Sequence, residues 1–92
     1  MTSKETQKSP VETTENISGK ENFLVLHNDE THSFDYVIKA LMDICQHDYT
    51  QATQCTMITH YKGKCDVRSG DFSSLKPMKE ALSDLKLKAT ID

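Results

Sequence analysis

Apolar residues are almost absent from the first 22 positions, MTSKETQKSPVETTENISGKEN, where only Met1, Val11 and Ile17 interrupt a run dominated by Thr, Ser, Glu and Lys. Such a stretch cannot bury enough surface to offset the entropy of ordering it, which predicts a disordered N-terminal arm over residues 1–22. The arm is either a passive tail or a tether that engages a partner. At Phe23 the pattern changes. Phe23-Leu24-Val25-Leu26-His27 is a β-favouring run, and the polar turn Asn28-Asp29-Glu30-Thr31 stops it, so a first strand is predicted there.

From Phe34 the apolar positions Phe34, Val37, Ile38, Leu41, Ile44 and Cys45 recur at helical spacing, with Ser33 able to cap the start and an end near Gln46. Asp48-Tyr49-Thr50-Gln51 has the form of a capping box, an oxygen acceptor followed three residues later by Gln, so a second helix is expected from there to about Tyr61. Gly63 supplies the left-handed residue that commonly ends a helix, and Cys65 and Val67 then alternate with Lys64, Asp66 and Arg68 as in a half-buried strand. A third helix is predicted to begin at Ser73 or Ser74, with Pro77 in its first turn and Met78, Ala81 and Leu82 on its inner face. Leu85, Leu87, Ala89 and Ile91 alternate with Lys86, Lys88 and Thr90, which predicts a last strand over that stretch. The order is β-α-α-β-α-β. Strands of alternating polarity want one wet face, so the expected fold is α+β, a three-stranded antiparallel sheet with the helices packed on one face. Residues 23–92 form this one domain, and no internal repeat is visible.

Composition narrows the function classes. A chain of 92 residues with 36% hydrophobic and 27% charged residues fits one modest globular core. The formal charge of -3 leaves no basic excess for phosphates, so nucleic acid is not expected as a partner. Cys45, Cys55 and Cys65 are odd in number and evenly spread, unlike the close pairs of a structural zinc site, and no metal or other cofactor is expected. No apolar signal segment opens the chain and no run approaches the roughly 20 apolar residues of a membrane span. The expectation is a cytoplasmic protein with reduced thiols, not bound to a membrane, and a monomer. Asn16-Ile17-Ser18 matches a glycosylation sequon that has no meaning in that compartment.

Four histidines, three cysteines and several carboxylates raise the question of an enzyme. The cysteines fall on apolar faces, where free Cys usually serves as a small hydrophobe, and the sequence has no Gly-rich phosphate loop, G-x-S-x-G or H-E-x-x-H. No catalytic residue is expected. More informative is the polar turn Asn28-Asp29-Glu30, which lies just ahead of a helix whose first turn carries Phe34 and Val37. His60 closes the second helix, with Thr56 one turn before it on the same face. Two readings of these residues stand open. In one, His60 approaches the acidic turn when the two helices pack as a hairpin; in the other, the turn is an ordinary one and His60 makes only a helix-end dipole contact.

Four segments together resemble the ClpS family of Clp protease adaptors. They are Leu24-Val25-Leu26-His27-Asn28-Asp29-Glu30, the bulky aromatic that opens the next helix, Asp48-x-x-Gln51-Ala52-Thr53-Gln54, and His60-Tyr61-Lys62-Gly63-Lys64. The resemblance spans residues 23–92. It implies an adaptor, not an enzyme, that binds proteins with a bulky hydrophobic first residue (an N-degron) and delivers them to a Clp AAA+ unfoldase of the ClpA or ClpC type. On this resemblance Asn28, Glu30 and His60 contact the peptide α-amino group, Asp29 supports the turn, and Phe34, Val37, Thr56, Thr59 and Leu87 line or gate the side-chain pocket. The arm becomes the element that engages the unfoldase. The chain departs from the family pattern with Glu30 where Asp is usual, Phe34 where Met is common, and Thr56 and Thr59 where larger apolar groups are frequent. The segment from Asp66 to Leu85 is also shorter than in many relatives. One alternative follows from these departures: a regulator that docks on the unfoldase without capturing N-degrons. Another is a thiol or acid-base enzyme that uses His60 with Cys55 or a carboxylate.

Overall fold

A computed structural model describes residues 21–92; the arm expected over residues 1–22 lies outside them apart from its last two positions. Six elements follow one another: β1 (Asn22–His27), α1 (Phe34–Cys45), α2 (Tyr49–Lys62), β2 (Lys64–Gly70), α3 (Phe72–Asp84) and β3 (Ala89–Ile91). The order and the α+β class are those expected. β1 is central, paired antiparallel with β2 on one side and β3 on the other. Leu24 and Leu26 turn to the helical side and meet Ile38 and Leu41 of α1, Ala52 and Cys55 of α2, and Leu75 and Leu82 of α3 in one buried cluster.

Caps set the helix limits as the local chemistry requires. The Ser33 hydroxyl accepts from the Tyr36 amide at 3.2 Å, and the Asp48 carboxylate accepts from the Gln51 amide at 2.7 Å. Gln46 and Gly63 end α1 and α2 in the left-handed conformation, with φ of 62° and 94°. Opposite Leu24 and Val25 the β2 register skips Val67, a bulge that keeps this side chain in the core. The buried His47 ring donates from Nε2 to the Val67 carbonyl at 2.7 Å, and Arg68 donates to the Cys45 carbonyl at 3.2 Å. Both bonds tie the bulge to the junction between α1 and α2.

Two expected boundaries are corrected. α3 begins at Phe72 with Asp71 as its cap position, so Pro77 falls in the second turn and not the first. Its ring removes the amide that the Ser73 carbonyl would have used, and both residues are exposed, where water can take the missing partner's place. The last strand is shorter than the alternation suggests. Leu85 caps α3, Lys86 adopts φ of 67°, and the amides of Lys86 and Leu87 bond the carbonyls of Ser83 and Leu82 at 2.9 and 3.0 Å. This is a Schellman helix end with lysine in the position that usually belongs to glycine. Only at Ala89 does the chain join the sheet, although a backbone bond from His27 to the Lys88 carbonyl already holds it there at 2.9 Å.

Candidate functional site

Pairing of β1 with β2 carries the polar turn to the end of α2. His27 stands opposite Lys64, and the Asn28 amide donates to the Gly63 carbonyl at 2.9 Å. The turn after β1 is thereby fixed three residues from His60. α1 leaves the same turn and lies against α2, so its first residues face the last two turns of that helix. A cavity of about 510 Å³, including its open mouth, occupies the space between them. Its lining contains all nine residues singled out in the sequence: Asn28, Asp29, Glu30 and His60 at one end, and Phe34, Val37, Thr56, Thr59 and Leu87 along the walls.

At the polar end Asn28 donates from its side-chain amide to the Glu30 carboxylate at 3.2 Å. Asp29 acts differently. One of its oxygens accepts from the Thr31 amide at 3.0 Å, the Thr31 hydroxyl at 3.1 Å and the His32 amide at 3.2 Å, an Asx-type turn. The His32 ring adds Nδ1 at 3.0 and 3.1 Å from the two carboxylate oxygens. A carboxylate only accepts, so the Nδ1 proton points to Asp29. Burial raises the Asp29 carboxyl, but the bonds from Thr31 and His32 and the charge of His32 outweigh it and hold the group below the ordinary carboxylate range. Asp29 is therefore committed to its own turn. Asn28 and Glu30 stay exposed enough to meet a ligand, and the negative end of the α2 dipole adds to their preference for a cation.

The walls are apolar or internally satisfied. Thr56 and Thr59 are buried, and their hydroxyls bond back to the carbonyls of Ala52 and Cys55, each at 2.8 Å. Leu87 is 4% exposed and belongs to the floor, whereas Phe34 is 40% exposed and stands at the mouth. The Phe34 ring meets His60 edge to face at 5.2 Å, and His60 meets Tyr61 in the same manner at 4.8 Å. The whole is a slot with acceptors at one end, a dry wall at the other and a half-exposed aromatic at its entrance.

Residues 18–90 match the model of the family described as ATP-dependent Clp protease adaptor protein ClpS. The chain belongs to the ClpS family. It is similar to the solved structure of Agrobacterium tumefaciens ClpS2 bound to L-phenylalaninamide, with a TM-score of 0.74 and 20% identity over 79% of this chain and 95% of that one. At such identity the likeness bears on the fold, which the two proteins share. ClpS membership makes this chain an adaptor by family, not a member of an enzyme family.

Three lining residues of this ClpS domain were not singled out in the sequence: Leu26, His27 and His32. Leu26 reads as core and is core; His27 is held by a 2.8 Å bond between its ring and the Thr90 hydroxyl. His32 had a legible signal, since an aspartate three residues before it and Tyr36 four after it are both within local reach. The thiols lie away from the cavity lining. Burial pushes Cys45 up to about 11 and Cys65 up to about 12, the latter helped by the neighbouring Cys55 thiol. Among the described residues no cluster of His, Cys, Asp or Glu could hold a metal, and no helix is long and apolar enough to cross a membrane.

Proposed function

We propose that this ClpS-family protein captures N-degrons: it binds the free α-amino group and bulky hydrophobic side chain of a substrate's first residue and hands the substrate to a Clp AAA+ unfoldase of the ClpA or ClpC type. One observation carries the reading, the single slot that joins Asn28, Glu30 and His60 to the walls of Val37, Thr56, Thr59 and Leu87. A free α-amino group is a compact cation with only donors, so several acceptors suit it, while the side chain beside it needs a dry cavity. His60 serves as an acceptor through a neutral ring nitrogen. The ClpS2 structure supports the reading by its ligand, since L-phenylalaninamide carries a free amine beside a benzyl group. Free cysteines support a reducing compartment, the cytoplasm.

The test is a titration with a Phe-first peptide and the same peptide acetylated at its N-terminus. Acetylation removes the charge and two donors and leaves the side chain untouched. It should cost roughly 2 to 5 kcal/mol, the range for leaving buried charged partners unpaired, which is at least tenfold in affinity. Equal affinity for the two peptides rejects N-degron capture and leaves the unfoldase-docking regulator.

A further inference from the structure

Two parts of the slot come from opposite ends of the sequence, the polar turn after β1 and the Leu87 floor that follows α3. They are joined by a continuous set of contacts that the family reading does not use. The His32 ring donates from Nδ1 to the Asp29 carboxylate at 3.0 Å. The same ring lies on Tyr36 with centroids 4.8 Å apart and planes 17° from parallel. The Tyr36 hydroxyl then donates to the Leu85 carbonyl at 2.8 Å, across 49 residues of chain. That carbonyl belongs to the last turn of α3, where helix geometry leaves an acceptor without an internal partner. Directly after it come Lys86, in the left-handed conformation, and Leu87.

We infer that His32 and Tyr36 are positioning residues that set the distance between the polar turn and Leu87, and so the size of first side chain the slot accepts. The inference deepens the N-degron reading and rests on it for the word substrate. A ring stacked on the first turn of a helix is by itself only a staple that fixes how the chain enters. Such a staple needs no polar groups. Here each ring ends in a hydrogen bond, one to the residue that shapes the polar turn and one to the corner that presents the floor. Leu87 is buried, its own amide bonds the Leu82 carbonyl in the Schellman end, and only Lys86 separates it from Leu85, so a shift of Leu85 is passed on to Leu87.

The experiment uses the full chain, Tyr36→Phe and His32→Asn. The first variant deletes only the hydroxyl; the second keeps a donor for Asp29 but removes the stacked ring. In ligand-free protein, amide hydrogen exchange at Lys86 and Leu87 should quicken about fivefold in both, the worth of one net hydrogen bond. Acceleration in Tyr36→Phe alone, or in neither, overturns the relay, because His32 makes no hydrogen bond to that corner. In parallel, the ratio of affinities for Phe-first and Leu-first peptides should shift at least threefold in both variants, with the thermal midpoint little changed. A constant ratio in folded variants overturns the role in selectivity. Should the wild-type protein bind free and acetylated peptides alike, the N-degron reading fails separately, and the exchange data still decide whether His32 positions Leu87.

Discussion

Asp29 gathers four of the hydrogen bonds that shape the polar turn, and its lowered carboxyl makes that turn sensitive to acid. A carboxyl whose folded-state value is depressed adds stability that is fully present above its unfolded value, near 3.8, and is lost as the pH falls through the folded value. Between about pH 6 and 2.5 the thermal midpoint of the wild-type protein should therefore drop further than that of Asp29→Asn. Parallel curves for the two proteins would remove Asp29 from the account. The cysteines give a second residue-scale forecast. Thiolate is the reactive form, and Cys45 at about 11 and Cys65 at about 12 hold little of it at pH 8. Native labelling should be slow at all three sites and fastest at Cys65, the only one that is not buried. Rapid modification of Cys55 would revive the thiol-enzyme alternative. At this scale the sequence spoke through residue types: acceptors beside an apolar turn, and a histidine closing a helix. It did not speak of Asp29's commitment to Thr31 and His32, because an acceptor's partner is chosen by turn geometry and not by composition.

The elements show where periodicity misleads. β1, α1, α2 and β2 were legible because each has a pattern bounded by a chemical stop: the polar turn, Ser33, Asp48 and Gly63. The final strand was read too early for a physical reason. Leu85 caps α3 and Leu87 is the buried residue that a Schellman end commonly packs back on the helix, yet the two continue the spacing of Ala89 and Ile91 and so imitate the alternation of a strand. Lys86 hid the helix end because the usual glycine is absent. The two interpretations forecast opposite signs for one substitution. In a strand, Lys86→Gly would weaken the structure, since glycine is entropically costly there. At φ of 67° it relieves a conformation that L-residues resist, and should stabilise by about 0.5 to 1 kcal/mol. Lys86→Val should do the reverse. Chemical denaturation of the two variants distinguishes them, and stabilisation by Val would place Lys86 in extended backbone.

For the molecule as a whole, the proposed function divides into capture and delivery. Among the described residues, the buried cluster draws its side chains from Leu24 through Ala89, and the slot is lined by residues from Leu26 to Leu87. The family match likewise begins at residue 18, so the first seventeen positions lie outside it. The described residues by themselves form this core and this slot. Handing a bound protein to an unfoldase asks for more, because the adaptor must offer a segment that the motor can engage. In the proposed function that segment is the arm. Removing residues 1–20 should therefore leave the thermal midpoint within a few degrees of the wild type and leave peptide affinity unchanged. The same truncation should stop degradation of a Phe-first substrate by a Clp protease, and it should act as a competitor when mixed with the full chain, because it still occupies the substrate. Three measurements separate the possibilities. A midpoint lowered by many degrees would mean that the arm packs on the domain. Weakened peptide binding would mean that it completes the slot. Undiminished degradation would show that the folded domain engages the unfoldase by itself.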